Sequence, residues 1–162
     1  MVRTINDFAE QWRYEQESTL KIFNSLTDES LEQKIPGGRT LGRLANHITE
    51  TLTELPHKCG LPIAEEYVTY KTVPELVAAY QRVSDQLLNA VTGNWHDNML
   101  QDEQMMYGEP WKNGFSLFAI IAHQAHHRGQ MTVLMRLAGL QVPGMYGPSK
   151  EEWQAMHMQP LD

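Results

Sequence analysis

Residues 115–140 form the longest apolar segment of the chain, and HQAHHRGQ, His123 to Gln130, sits inside it. The segment is expected to be one helix. His123 and His127 are four residues apart, so on a helix they share a face, one turn from each other. Ser116, Ala119, Ile120, His127, Leu134 and Leu137 all fall within roughly 60° of His123 around the axis. The pair therefore belongs to an inward, largely apolar face. Two imidazoles buried side by side are costly unless their nitrogens are satisfied. A divalent metal satisfies them, and this is the helical spacing that lets two imidazoles reach one ion. The plainer reading is a hydrogen-bonded core pair. No Glu follows the first His, so the motif is not HExxH and lacks a metalloprotease's general base.

With 162 residues the chain is long enough for a single domain with a proper core, spanning 1–162. A formal net charge of −7 and the lack of any Lys/Arg cluster argue against nucleic acid as a partner. One cysteine, Cys59, excludes an internal disulfide and fits a reducing compartment. No stretch approaches the ~20 apolar residues that span a bilayer, and the N-terminus has no signal-type run. The expectation is a soluble cytoplasmic protein without membrane contact.

Helical signals dominate the rest. Thr4 caps a first helix to about Leu26, with Phe8, Trp12, Ile22, Phe23 and Leu26 in its apolar stripe and Glu15 and Thr19 in the middle of it. Pro36, Gly37 and Gly38 break the pattern. Thr40 caps a second helix to about Leu55, carrying Leu41, Leu44, Ile48, Leu52 and Leu55, ended by Pro56, Gly60 and Pro62. Thr72 and Glu75 have capping-box spacing and open a third helix to about Val91. The connection from Thr92 to Lys112 has room for a short strand pair around MLQDEQMMYG. The fourth helix runs from Phe115 to about Ala138, and Ser149 with Glu152 caps a short terminal helix. Four long helices with unequal connections predict an all-α four-helix bundle, not of simple up-down-up-down order. Leu117, Phe118, Ile121, Ala125 and Met135 give the fourth helix a second apolar side, which predicts a homodimer contact.

Of the other histidines, His47 is the best third ligand. It lies in the middle of the second helix at the edge of its leucine stripe, beside Leu44 and Thr51. His57 follows Pro56, outside the helix as read here. His96 and His157 lie in polar sequence and read as solvent-facing. His126, on the opposite flank of His123 from His127, is expected at the periphery of the site or on the surface. Three imidazoles from two helices leave open positions on the metal, which points to catalysis or ligand binding. Zinc is the first expectation for the metal and nickel the second. Glu15 has two open readings: an ion pair with Arg128 or Arg43, or a catalytic position near the metal as acid, base or acceptor of an imidazole N–H. Gln130, in line with His123, is a similar candidate. Arg128 points away from the ligand face and reads as a structural ion-pair donor. Cys59 reads as an ordinary core or loop cysteine.

Together, TLGRLANHI, HQAHHRGQ and VPGMYGPS resemble the DinB-like family of metal-binding four-helix bundles. The similarity runs from the first helix to the PGMYGPS turn. The resemblance implies a long crossover between the second and third helices, a site at His47, His123 and His127, and commonly a homodimer. It further implies, from the wider superfamily, a metal-dependent thiol S-transferase or a related hydrolase that acts on a small-molecule substrate. A low-molecular-weight thiol such as glutathione, mycothiol or bacillithiol would be the co-substrate. The alternative is a non-catalytic metal- or ligand-binding stress-response protein.

Overall fold

The computed structural model describes residues 2–153 and 155–159. Its first helix, α1 (Ile5–Asn24), starts at a complete capping box. The Thr4 hydroxyl accepts the Asp7 N–H at 3.0 Å, and the Asp7 carboxylate accepts the Thr4 N–H at 3.2 Å. A 3-10 turn at Glu29–Glu32 follows. Then α2 (Leu41–Lys58) is capped by Thr40, whose hydroxyl accepts the Arg43 N–H at 3.0 Å. The helix does not stop before Pro56 as expected. It runs on to Lys58, so His57 belongs to its last turn. A proline there removes only the donor to the carbonyl four residues back, and the Cys59 N–H already closes the end on Leu55.

The crossover to α3 (Val73–Asn94) runs back along α2. Asn46 holds it as a strand partner would: its Oδ1 accepts the Tyr70 N–H at 2.8 Å and its Nδ2 donates to the Tyr70 carbonyl at 3.0 Å. Thr53 accepts the Glu66 N–H at 3.0 Å. The chain is thereby returned to the N-terminal end of α2, where the expected Thr72–Glu75 box opens α3. Consequently α2 and α3 run parallel. Both run against α1, as Trp12 beside Ser84 and Phe23 beside Tyr80 show.

The long connection after α3 carries a hairpin, β1 (Glu103–Met106) and β2 (Glu109–Lys112), in antiparallel register with Met106 opposite Glu109. Tyr107 and Gly108 both take positive φ, 52° and 91°, the two-residue turn that matches strand twist. The fourth long helix, α4 (Asn113–Leu137), starts beside Val2 and runs parallel to α1, giving an up-down-down-up bundle. One turn of helix, α5 (Lys150–Trp153), is the short terminal helix expected. The expected Ser149–Glu152 box is half-formed: Glu152 accepts the Ser149 N–H at 3.2 Å, while the Ser149 hydroxyl has no partner among the described residues. No described helix is long and apolar enough to cross a membrane.

The core holds the expected stripes of Phe8, Trp12, Ile22 and Phe23, of Leu41, Ile48 and Leu52, and of Leu76, Tyr80 and Leu87. The phase of α4 differs from the sequence reading. Leu117 and Met135, expected at a subunit contact, are buried in the core, while Leu137 is 57% exposed. The inward face instead carries polar groups: Gln124 and Arg128 are both 0% exposed. Gln124 donates to the Ile48 carbonyl at 3.2 Å and accepts from the hydroxyls of Tyr80 at 3.2 Å and Thr19 at 3.4 Å. One amide thus ties α4 to the three other long helices.

Arg128 donates to the Glu15 carboxylate, to the Glu15 carbonyl at 3.2 Å and to the Thr19 hydroxyl at 2.9 Å. The Tyr146 hydroxyl closes the pair from the tail, donating to Glu15 at 2.8 Å. Desolvation and the adjacent carboxylate push the Tyr146 phenol up to about 12. Removing one partner of such a pair strands a buried charge. Glu15→Ala should therefore lower stability by about 3–5 kcal/mol in urea denaturation. The double variant Glu15→Leu/Arg128→Met should regain most of that loss.

Candidate metal centre

α2 and α4 face each other with Ile48 against Gln124, and the residues one position before each, His47 and His123, are thereby brought together. His127 joins from the next turn of α4. The ligand atoms of the three imidazoles all lie within 4.8 Å of one another. The His47 ring lies 4.9 Å from that of His123 and 4.8 Å from that of His127, centroid to centroid. Among the described residues no other trio of His, Cys, Asp or Glu side chains converges this way.

The nitrogen spacing fits a shared cation as well as an imidazole–imidazole hydrogen bond. The Nε2 atoms of His123 and His127 are 3.0 Å apart. Two imidazole nitrogens each ~2.1 Å from a shared ion stand about 3.0–3.4 Å apart. His127 is fixed from behind: its Nδ1 meets Gln130 Oε1 at 2.7 Å, so Nδ1 carries the proton and the lone pair of Nε2 faces inward. The Gln130 amide nitrogen in turn faces His126 Nε2 at 3.1 Å. His123 Nδ1 is buried with no partner among the described residues. Three neutral nitrogen donors with this spacing are compatible with a divalent metal site.

Burial first, and neighbouring charges second, hold the imidazoles neutral. His47 and His123 are each pushed down to about 4 from the ordinary 6.5, and His127 is lowered as well. His127 and the guanidiniums of Arg39 and Arg43 add to the effect at His47. Glu50 Oε2 lies 4.0 Å from His47 Nδ1, but Arg43 holds the same oxygen at 2.9 Å.

The trio opens into a cleft of about 750 Å³ between α4 and the loop before α2. His126, Gln130 and Arg39 line it, with Ile35, Leu44 and Val133 as apolar wall. Glu15 is not there. The catalytic position considered for it gives way to the ion pair with Arg128, because a buried guanidinium on the neighbouring helix takes its carboxylate. Arg128 is the structural donor expected. Gln130 contacts the His127 imidazole, on the side away from the trio's centre. His126 is exposed at the cleft, while His57, His96 and His157 line no part of it. The sequence reading took Pro36, Gly37 and Gly38 only as a break between helices and passed over Arg39. The signal present was an arginine directly between a Pro-Gly-Gly turn and a helix cap.

The DinB family model matches residues 1–161. The chain belongs to the DinB family. It is 41% identical over 157 residues to Uncharacterized protein YrdA of Bacillus subtilis (strain 168), with 94% of each chain covered. The crystal structure of a DinB-like protein from Bacillus cereus ATCC 10987 matches with a TM-score of 0.85 at 42% identity. That match covers 90% of this chain and 100% of the other. The all-α bundle with its long crossover is the DinB-like fold expected from the sequence.

Two imidazoles hold a metal far less well than three, so His47→Ala should lose most of the metal bound by the wild type in equilibrium dialysis with zinc. Acid should act late. Folded His47 and His123 protonate only near pH 4, and His127 below its ordinary value, whereas unfolded imidazoles do so near 6.5. Zinc affinity should therefore fall below the ordinary imidazole range, with His47 and His123 lost as ligands only toward pH 4. For the same reason the metal-free fold should lose stability as pH falls from 6.5 to about 4, and not above that window. A loss of zinc centred at pH 6.5 would contradict the buried, neutral trio.

Proposed function

We propose that this chain is a metal-dependent enzyme acting on a small molecule, with His47, His123 and His127 as the metal's protein ligands. A thiol S-transferase is the first reading of its reaction and a related hydrolase the second, with a low-molecular-weight thiol as co-substrate for the former. The observation that carries the proposal is the trio of neutral imidazoles at the wall of an open cleft. Structural zinc is enclosed by four protein ligands, whereas catalytic sites keep a position open. A divalent metal in such a site, zinc first and nickel second, lowers the pKa of a thiol or water beside it.

The chain's own groups supply orientation and proton handling. Gln130 accepts the Nδ1 proton of His127 and keeps Nε2 turned inward; it is a positioning residue. His126 accepts from the Gln130 amide at Nε2, which leaves its Nδ1 as the proton-bearing atom beside the cleft. Leu44 and Val133 give part of the cleft an apolar wall. One feature favours the non-catalytic binding alternative: among the described residues no carboxylate lines the cleft.

The test is elemental analysis of the purified protein, followed by glutathione, bacillithiol and mycothiol offered with a bromobimane electrophile. Turnover with at least one thiol is expected. Gln130→Ala should lower activity or metal affinity roughly 10- to 100-fold. A metal-loaded protein with no turnover on any pair would make the binding-protein reading the better one.

We further propose a homodimer, built on the outer side of α4, which shares only Phe118 with the side expected from sequence. Phe115, Phe118 and Leu137 are 41–57% exposed there, and Phe115 continues an aromatic row through Trp111 to Tyr107. Exposed aromatic rings clustered at one end of a helix are the kind of surface a second copy covers. Light scattering should give twice 18.6 kDa for the wild type and a monomer for Phe118→Glu. A monomeric wild type at micromolar concentration would remove the proposal.

A further inference from the structure

Among the described residues, Arg39 is the one Lys or Arg side chain lining the cleft. It sits where the chain is stiff. Ile35 to Gly38 form a turn closed by the Gly38 N–H on the Ile35 carbonyl at 2.9 Å. Pro36 takes its second position, and Gly37, at φ 73°, takes the third, where a positive φ is required. A side chain at Gly38 would meet Ile35 Cγ1 at 2.7 Å, so glycine lets Ile35 fold against the loop. Thr40, directly after Arg39, is the cap of α2.

Arg39 is exposed and, among the described residues, has neither a hydrogen-bond partner nor an acidic partner for its side chain. Its neighbour Arg43 differs, being held by Glu50 at 2.9 Å. The cleft thus presents a guanidinium, apolar surface from Ile35 (49% exposed) and Val133 (56% exposed), three imidazoles, and no carboxylate. A fork of N–H donors without an acid partner is built to take a carboxylate or another oxyanion.

We propose that Arg39 selects the ligand of this cleft: an organic anion whose acid group docks on the guanidinium and whose apolar chain lies along Ile35 and Val133 toward the imidazoles. The proposal rests on the reading of the cleft as a ligand site and names its substrate class. Charge balance points the same way. A divalent cation on three neutral imidazoles, with Arg39 nearby, gives the cleft a surplus of positive charge that an anionic ligand offsets. The Arg39 charge already acts on all three rings, where it adds to burial in lowering their pKa values.

The test separates the arginine from the metal. In EDTA-treated protein, amide resonances of residues 35–47 are followed by NMR as hexanoate or hexan-1-ol is added. Hexanoate should bind about fivefold or more tightly than the alcohol. Arg39→Gln should abolish that preference and Arg39→Lys should keep part of it. Equal binding of acid and alcohol by the wild type, an unchanged preference in Arg39→Gln, or no response to hexanoate would overturn the proposal. In zinc-reconstituted protein, calorimetric titration with 3-mercaptopropan-1-ol reports the metal without the acid group. A mercapto-alcohol that binds only with zinc, beside an absent hexanoate preference, keeps the metal reading and removes Arg39's role. The reverse pattern keeps Arg39's role and removes the thiol-binding metal.

Discussion

A guanidinium and a carboxamide, each with no exposure to solvent, sit one turn apart on α4 and must both be satisfied within the protein. Arg128 finds Glu15 and Thr19 on α1, and Gln124 finds Thr19, Ile48 and Tyr80 on the three other long helices. Hydrophobic packing alone would let a helix that is apolar on two sides rotate or slide by a turn. These directional bonds forbid it, because a slip of one turn would strand a buried charge. The Gln124–Ile48 bond has the most direct consequence. It joins the residues that follow His123 and His47, so the register that satisfies the amide is also the register that brings the imidazoles together.

The same logic explains what was legible in the sequence. The stripes of α1, α2 and α3 repeat at helical spacing, and the caps Thr4, Thr40 and Thr72 are short-range signals that local chemistry honours. The i, i+4 histidines are likewise local, and His47 announced itself by standing at the edge of a leucine stripe. The phase of α4 was not legible. Apolar residues on several sides give no direction to the periodicity, and the face that won is the one whose polar groups found partners. Glu15 carried two readings for a similar reason, since the choice depended on which cation the tertiary register placed opposite it. Pro56 looked like a stop because a proline's cost is read locally, but in a last turn only one helical bond is forgone.

Arg39 belongs to a further class. Its loop has no periodicity, and its place beside the imidazoles comes from the fold, which sets the loop 35–39 and α4 on the walls of one cleft. A rigid Pro-Gly-Gly turn ahead of a helix cap is a structural signature in sequence, yet only the fold reveals which cavity it borders. The site that results joins neutral ligands, a positioning amide and an unpaired cation in one cleft of an otherwise acidic protein. Membership of the DinB family accounts for the bundle and its crossover.

The central claim is that His47, His123 and His127 share one divalent metal. Anomalous diffraction from crystals grown with zinc, collected on both sides of the zinc edge, tests it most directly. The account predicts one strong peak, about 2.0–2.1 Å from a nitrogen of each of the three imidazoles. A peak held by other side chains, or none at the trio when zinc is in excess at pH 7, would contradict it.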